Sequence, residues 1–445
     1  MAARKGSTSA NRGRDVMGVG LAALNKLAGA SVIDRLKLRK PSERAVYEAS
    51  KAGFRAAGAA NRRFASIAKR GSAERPGRSS EPELFDLTPS DEQKMIVEAT
   101  SDFAKEQLRP AASAADSACE APETILKRSI AELGVTQLGV PESLGGMASE
   151  RSTTTGVLVA EALAHGDMGL AVACLAPAAV SNALVLFGNA DQQATYLPSF
   201  VGDDVPAAAL TVLEPHVLFD PFALKTTARR SGDGYVIDGV KSLVPRAATA
   251  ELFVVGASLE GVPTLFLVES GSAGITVESE PAMGIRAAST ARLILDGVKV
   301  PAGAVLGDAD AYAEAIRLGR LGWAALACGT GKAVLDYVIP YVNERQAFGE
   351  PISNRQAVAF MVANIGIELE GARLVTLRAA ARAEQGKTFA RETALARRLT
   401  SEYGMQIGSS GVQLLGGHGY VKEHPVERWY RDLRACGVME GVILV

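Results

Sequence analysis

At 445 residues the chain exceeds one ordinary compact domain, and 47% apolar residues supply more than one core. Against 49 acidic residues stand 48 basic ones, a formal charge of −1 that excludes a nucleic-acid binder basic along its whole length. The balance hides an asymmetry: residues 1–80 carry 18 basic and 5 acidic groups, a net of +13, so the remainder carries −14.

The basic part comes first. Residues 1–83 read as a separate helical or flexible extension, closed by the linker-like "GSAERPGRSSEPE". Two readings of it stand: a loosely ordered basic arm, or an apolar surface (Val19, Leu21, Leu24, Leu27, Val32, Ile33, Leu36, Leu38) set among cations, which would lie on anionic lipid or on a protein partner. No apolar run followed by a cleavage site marks a secretory signal.

Residues 84–206 read as a helical domain. "LTPSDEQKMIVEATSDFAKEQLRP" offers Thr88 or Ser90 as N-cap and Pro110 near the stop, and "PETILKRSIAELG" is a short helix ending at its glycine. Met168 to Ala190 has no charge, but Pro177, Ser181 and Asn182 interrupt it, so a buried helix pair turning at Pro177 is expected rather than a membrane span.

The period changes at residue 207. "ALKTTARRSGDGYVIDGVKSLV" is two extended runs around Ser231-Gly232-Asp233-Gly234, a hairpin signal, and further β-branched runs follow to 304. Residues 305–445 return to helix. The long "RQAVAFMVANIGIELEGARLVTLRAAARAEQG" has too many apolar positions for a free surface helix and calls for a bundle or an oligomer interface. The order of helices, sheet and helices is α+β.

Several motifs are set aside. "GTGKAV" at 329–334 lacks the spacer and the Ser/Thr of a phosphate loop and lies in a helical pattern, while "GGHGY" lacks a strand–turn–helix context. The cysteines (Cys119, Cys174, Cys328, Cys436) are scattered, as in a reduced cytoplasmic chain. His418 and His424 are close, but nothing acidic or thiol-bearing is spaced to complete a set, so no metal is expected. Glu440 stands alone among apolar neighbours, as a solvated group or as a base in a dry site.

From about residue 84 onward the chain resembles the acyl-CoA dehydrogenase family. The resemblance runs in order through "ELGVTQLGVPESLGG", "FGNADQQATYLPSFVGDD", "MGIRAASTARLILDGVKVPAGAVLG", "ERQAFGEPISNRQAV" and "LLGGHGYVKEHPVERWYRDLRACGVMEG". It implies an N-terminal helical domain, a middle β barrel-like domain and a C-terminal four-helix bundle, usually in a homotetramer. It implies non-covalent FAD, an acyl-CoA substrate oxidised to trans-2-enoyl-CoA in fatty acid β-oxidation, and an electron-transfer flavoprotein-like acceptor. A carboxylate takes the α proton while the flavin accepts the β hydride. Glu440 matches the family's base. The alternative base position, just before a helix arginine, is Gly319 here. Arg320 matches the arginine near the thioester arm of the substrate. Arg345, Phe348 and Gln356 match residues that reach a neighbouring subunit's FAD, and Gln413, Gly416, Gly417 and Gly419 match the loop at its adenosine diphosphate end.

The departures cluster. "LEPHVLFD" at 213–220 stands where the family has Thr-Glu-Pro-Gly-Ala-Gly-Ser-Asp, and "LVPR" at 243–246 where it has Trp-Ile-Thr-Asn. Leu213, Leu243 and Pro245 therefore replace a threonine, the tryptophan and a second threonine, and Val442 replaces the threonine of Glu-Gly-Thr. The losses fall on the half of the flavin site that a subunit builds for itself. Two functions follow: a dehydrogenase with an altered flavin pocket, or a flavin-deficient partner that completes a neighbour's FAD site in a mixed oligomer. The basic arm adds the possibility of a peripheral position at the inner face of a membrane.

Overall fold

The computed structural model describes residues 88–445, apart from residue 203. The expectations for the basic extension lie outside the described residues. Helix α1 (Asp91–Phe103) starts at a capping box: Ser90 Oγ accepts from the Gln93 N–H at 3.1 Å, and Gln93 Oε1 accepts from the Ser90 N–H at 3.0 Å. Pro110 does not stop it. A π turn (Ala104–Leu108) widens the helix just before α2 (Arg109–Ala118), where the proline ring and its missing N–H are accommodated, and the run ends at Cys119 in the left-handed region. Helix α3 (Glu123–Leu133) ends at Gly134 as its sequence suggests.

Helices α4 (Thr153–Gly166) and α5 (Met168–Phe187) come next, followed by α6 (Ala190–Phe200). The expected turn at Pro177 is absent: α5 is one helix with Pro177 inside it. An interior proline costs about 3 kcal/mol. Here the helix is sheathed on all sides by core residues, from Met168 to Leu184, and that burial outweighs the lost hydrogen bond. Of the described residues, only α5 is long and apolar enough to cross a membrane, and 78% of its apolar window is buried inside the fold.

The sheet comprises β1 (Ala208–Thr211), β2 (Thr227–Ser231), β3 (Gly234–Val244), β4 (Leu252–Leu259), β5 (Val262–Glu269), β6 (Ile275–Ser279), β7 (Ala291–Pro301) and β8 (Val305–Leu306). Its order is β6-β7-β3-β2-β4-β5-β8, with β1 parallel to β4. The predicted hairpin is present, with Ser231 opposite Gly234. Phe253, Val255, Phe266 and Leu293 form the core of this domain.

The chain then forms α7 (Ala309–Glu344), a short ribbon of β9 (Gln346–Ala347) and β10 (Glu350–Pro351), and helices α8 (Gln356–Glu384), α9 (Ala390–Leu414) and α10 (Val426–Leu433). The Gly329–Val334 stretch lies inside α7, as expected of a sequence that is no phosphate loop. Phe360, Ile367 and Leu374 on α8 fall seven apart and remain exposed, so one apolar stripe of that helix is left uncovered by the described residues. The four cysteines are free thiols.

Candidate active site

Glu440 follows the turn after α10 and is 6% exposed. Arg320 meets it from α7 in a fork: Nε donates to both carboxylate oxygens at 3.0 Å and Nη2 donates to Oε1 at 2.7 Å. A second cation, Arg397 of α9, places Nη2 3.6 Å from Oε1 and donates to the Met439 carbonyl at 2.7 Å. Burial lowers the affinity of the Arg397 guanidinium for its proton, and its Nη1 has no partner. The sequence signals Arg320 but not Arg397, which sits on a helix whose pattern reads as plain bundle.

The segment after Glu440 is tightly held. The Val442 N–H donates to the Leu210 carbonyl of β1 at 2.9 Å, and Trp323 Nε1–H of α7 donates to the Gly441 carbonyl at 2.9 Å. Asn182 of α5 donates to the Leu444 carbonyl at 2.6 Å, and Arg151 donates to that of Val445. Two glycines of α7 make room. A Cβ on Gly319 would lie 3.0 Å from the Ile443 carbonyl oxygen, and one on Gly322 would lie 2.5 Å from Ile443 Cγ2. A side chain at 319 would therefore press on the segment that follows Glu440. Val442 takes φ +72°, costly for a β-branched residue and tolerated because its neighbours over-determine it.

On the sheet side, Leu213 is buried and Leu243 is packed against the same core as Met439 and Val442. The Leu243 N–H donates to Glu280 Oε2 at 2.7 Å, and the Ser242 hydroxyl donates to the same carboxylate at 3.0 Å. Although burial opposes it, these donors and Arg292 hold the Glu280 carboxyl below its usual range. The Ser242 hydroxyl and the Leu243 N–H are thus spent within the protein, and Pro245 has no N–H to give. Beside them lies a fully buried pair, Lys241 Nζ 2.9 Å from Glu214 Oε1. Burial pulls Lys241 down to about 8, with Glu214 opposing. Burial alone would raise Glu214, but Lys241 and the N–H groups of Lys225 and Thr226 hold it down to about 2. The residues His216 to Phe219 form a loop from which Val217 and Leu218 stand 89% and 94% exposed.

A second locus gathers most of the remaining sequence candidates. Arg345, Phe348, Gln413, Gly416 and Gly417 line one cavity of about 550 Å³ between the start of α8 and the end of α9. Gln356 is the first residue of α8, beside that cavity and exposed. Gly419 does not join them. It turns inward, where a Cβ would lie 2.2 Å from the Val412 carbonyl oxygen. A guanidinium, an amide and open glycine backbone suit an anionic, phosphate-bearing group. This cavity therefore suits the anionic portion of a dinucleotide. The expectation that nothing acidic completes a set with His418 and His424 also fails, because Glu423 stands with them.

Residues 90–204 match the acyl-CoA dehydrogenase N-terminal domain, 207–298 its middle domain and 310–443 its C-terminal domain. The chain belongs to the acyl-CoA dehydrogenase family, whose members are flavin oxidoreductases. It is 36% identical over 366 residues to the short/branched chain specific acyl-CoA dehydrogenase of Rattus norvegicus mitochondria, covering 80% of this chain and 83% of the relative. A probable acyl-CoA dehydrogenase of Bacillus subtilis is 33% identical over 80% of this chain and 96% of its own length. Butyryl-CoA dehydrogenase from Megasphaera elsdenii superposes with a TM-score of 0.74 at 29% identity, over 80% of this chain and 96% of its own.

Proposed function

We propose that this chain is an FAD-dependent acyl-CoA dehydrogenase that draws the α proton of an acyl-CoA thioester onto Glu440. The observation that carries this is the buried Glu440 carboxylate, held by two arginines where α7, β1 and α9 meet. Both Glu440 oxygens are engaged by Arg320 in the resting state, so proton uptake requires the fork to rotate away. Arg320 is the partner able to do so, with 28% of its side chain exposed. A freed guanidinium beside the thioester arm would then bind substrate. FAD, when bound, supplies the acceptor for the β hydride. Arg345, Phe348, Gln413, Gly416 and Gly417 would hold the anionic portion of a neighbouring subunit's FAD. The uncovered α8 stripe is consistent with such an oligomer, and an electron-transfer flavoprotein-type acceptor would take the electrons. The free, mostly buried thiols suit a cytoplasmic chain.

A second reading is favoured by one observation: the Ser242 and Leu243 donors are spent on Glu280. On that reading the chain lacks its own flavin and completes a partner's site in a mixed oligomer. The absorbance spectrum of the purified full-length chain, with and without added FAD, separates the two. Flavin bands near one per chain, with turnover abolished in Glu440→Gln, support the dehydrogenase. A chain that stays colourless and is indifferent to Glu440→Gln overturns it in favour of the partner.

A further inference from the structure

We propose that His418, Glu423 and His424 form a binding site for a divalent transition-metal ion, zinc being the natural occupant. One ligand atom from each lies within 4.8 Å of the other two. His418 Nδ1 is 3.6 Å from Glu423 Oε2. That is too long for a direct hydrogen bond. It is close to the separation of about 3.4 Å between two ligands of one tetrahedral zinc, whose bonds run about 2.0–2.2 Å. Two imidazoles and a carboxylate form a borderline donor set that suits zinc and its first-row neighbours rather than magnesium or calcium.

A second, independent observation orients the site. Tyr337 of α7 meets His424 Nδ1 at 2.6 Å, and the two rings pack edge to face with centroids 5.9 Å apart. His424 Nδ1–H can donate to the Tyr337 hydroxyl oxygen, leaving Nε2 as the ligand atom, which is the arrangement that outer partners impose on metal-bound histidine. The His418 ring packs edge to face on His424 at 5.6 Å. The loop is also fixed from within, by the inward Gly419 against Val412 and by Pro425 at the head of α10. Glu423 is exposed and His418 half-buried, so the ion would keep open positions for water. His418 also borders the cavity lined by Arg345 and Gln413, so the ion would add positive charge at its rim.

The test uses the untagged full-length chain, stripped with a chelator and titrated calorimetrically with Zn²⁺ alone, with Co²⁺ absorption reporting geometry. We expect one ion per chain. His418→Ala and His424→Ala should each weaken binding by at least about 100-fold, and Tyr337→Phe by about 10-fold as outer partners do. Glu423→Gln, at an exposed position that leaves the fold undisturbed, should weaken it as well. His165→Ala should change nothing, since His165 pairs with Asp336 elsewhere. Binding well below one per chain, or binding that survives both histidine substitutions and Glu423→Gln, would overturn the site.

Discussion

Removing Arg320 should cost more stability than neutralising its partner. In Arg320→Met the apolar stem is kept and the guanidinium lost, stranding a carboxylate whose side chain is 8% exposed, with only Arg397 at 3.6 Å. Breaking a buried pair from one side costs about 3–5 kcal/mol. Arg320 is 28% exposed, so part of that attraction is already screened by water, and about 2–3 kcal/mol is expected. Glu440→Gln leaves a cation that can hydrate and an amide oxygen that still accepts, so about 1 kcal/mol is expected. The double variant should cost less than the sum, with a coupling of about 1–2 kcal/mol. Thermal unfolding by circular dichroism at one protein concentration reads all four members of the cycle, at roughly 2 °C per kcal/mol for a unit of this size. Equal costs for the two single variants, or strict additivity, would refute the claim that a buried carboxylate depends on this fork.

Two further outcomes follow from the same geometry. Gly322→Ala should lower the melting temperature by the equivalent of about 1–3 kcal/mol, because its Cβ would meet Ile443 Cγ2 at 2.5 Å; Ile443→Ala should rescue part of the loss, and no rescue would mean that the clash is relieved elsewhere. Asp432 is buried, with Asp167 adding like charge, and its carboxyl is pushed up to about 8 from 3.8. A raised carboxyl takes up a proton on folding, so its contribution is present at low pH and lost as pH rises between those values. Asp432→Asn keeps the acceptor for the Ile285 N–H, at 2.6 Å in the native chain, and removes the titration. It should therefore gain about 1–2 kcal/mol relative to the native chain between pH 5 and pH 8, and parallel stability profiles would rule this out.

The sequence by itself determined what depends on neighbours along the chain. The Ser90 cap, the Gly134 stop, the Ser231–Gly234 hairpin and the switch from helical to alternating period are local signals, and each appears where its residues stand. Ordered motifs also carried the family and pointed to Glu440 and Arg320. Tertiary packing decided the rest. Pro177 reads as a break, yet stays inside α5 because an all-round core outweighs one lost hydrogen bond. Pro110 is absorbed differently, by a π turn that widens the helix just before it. Arg397 reaches Glu440 from a helix more than forty residues upstream, and Glu280 claims the donors of Ser242 and Leu243 across the sheet. Glu423 joins His418 only because a turn folds the intervening residues back. No period or spacing encodes such meetings, because ion pairs and hydrogen bonds depend on distances in space, which the folded chain alone sets.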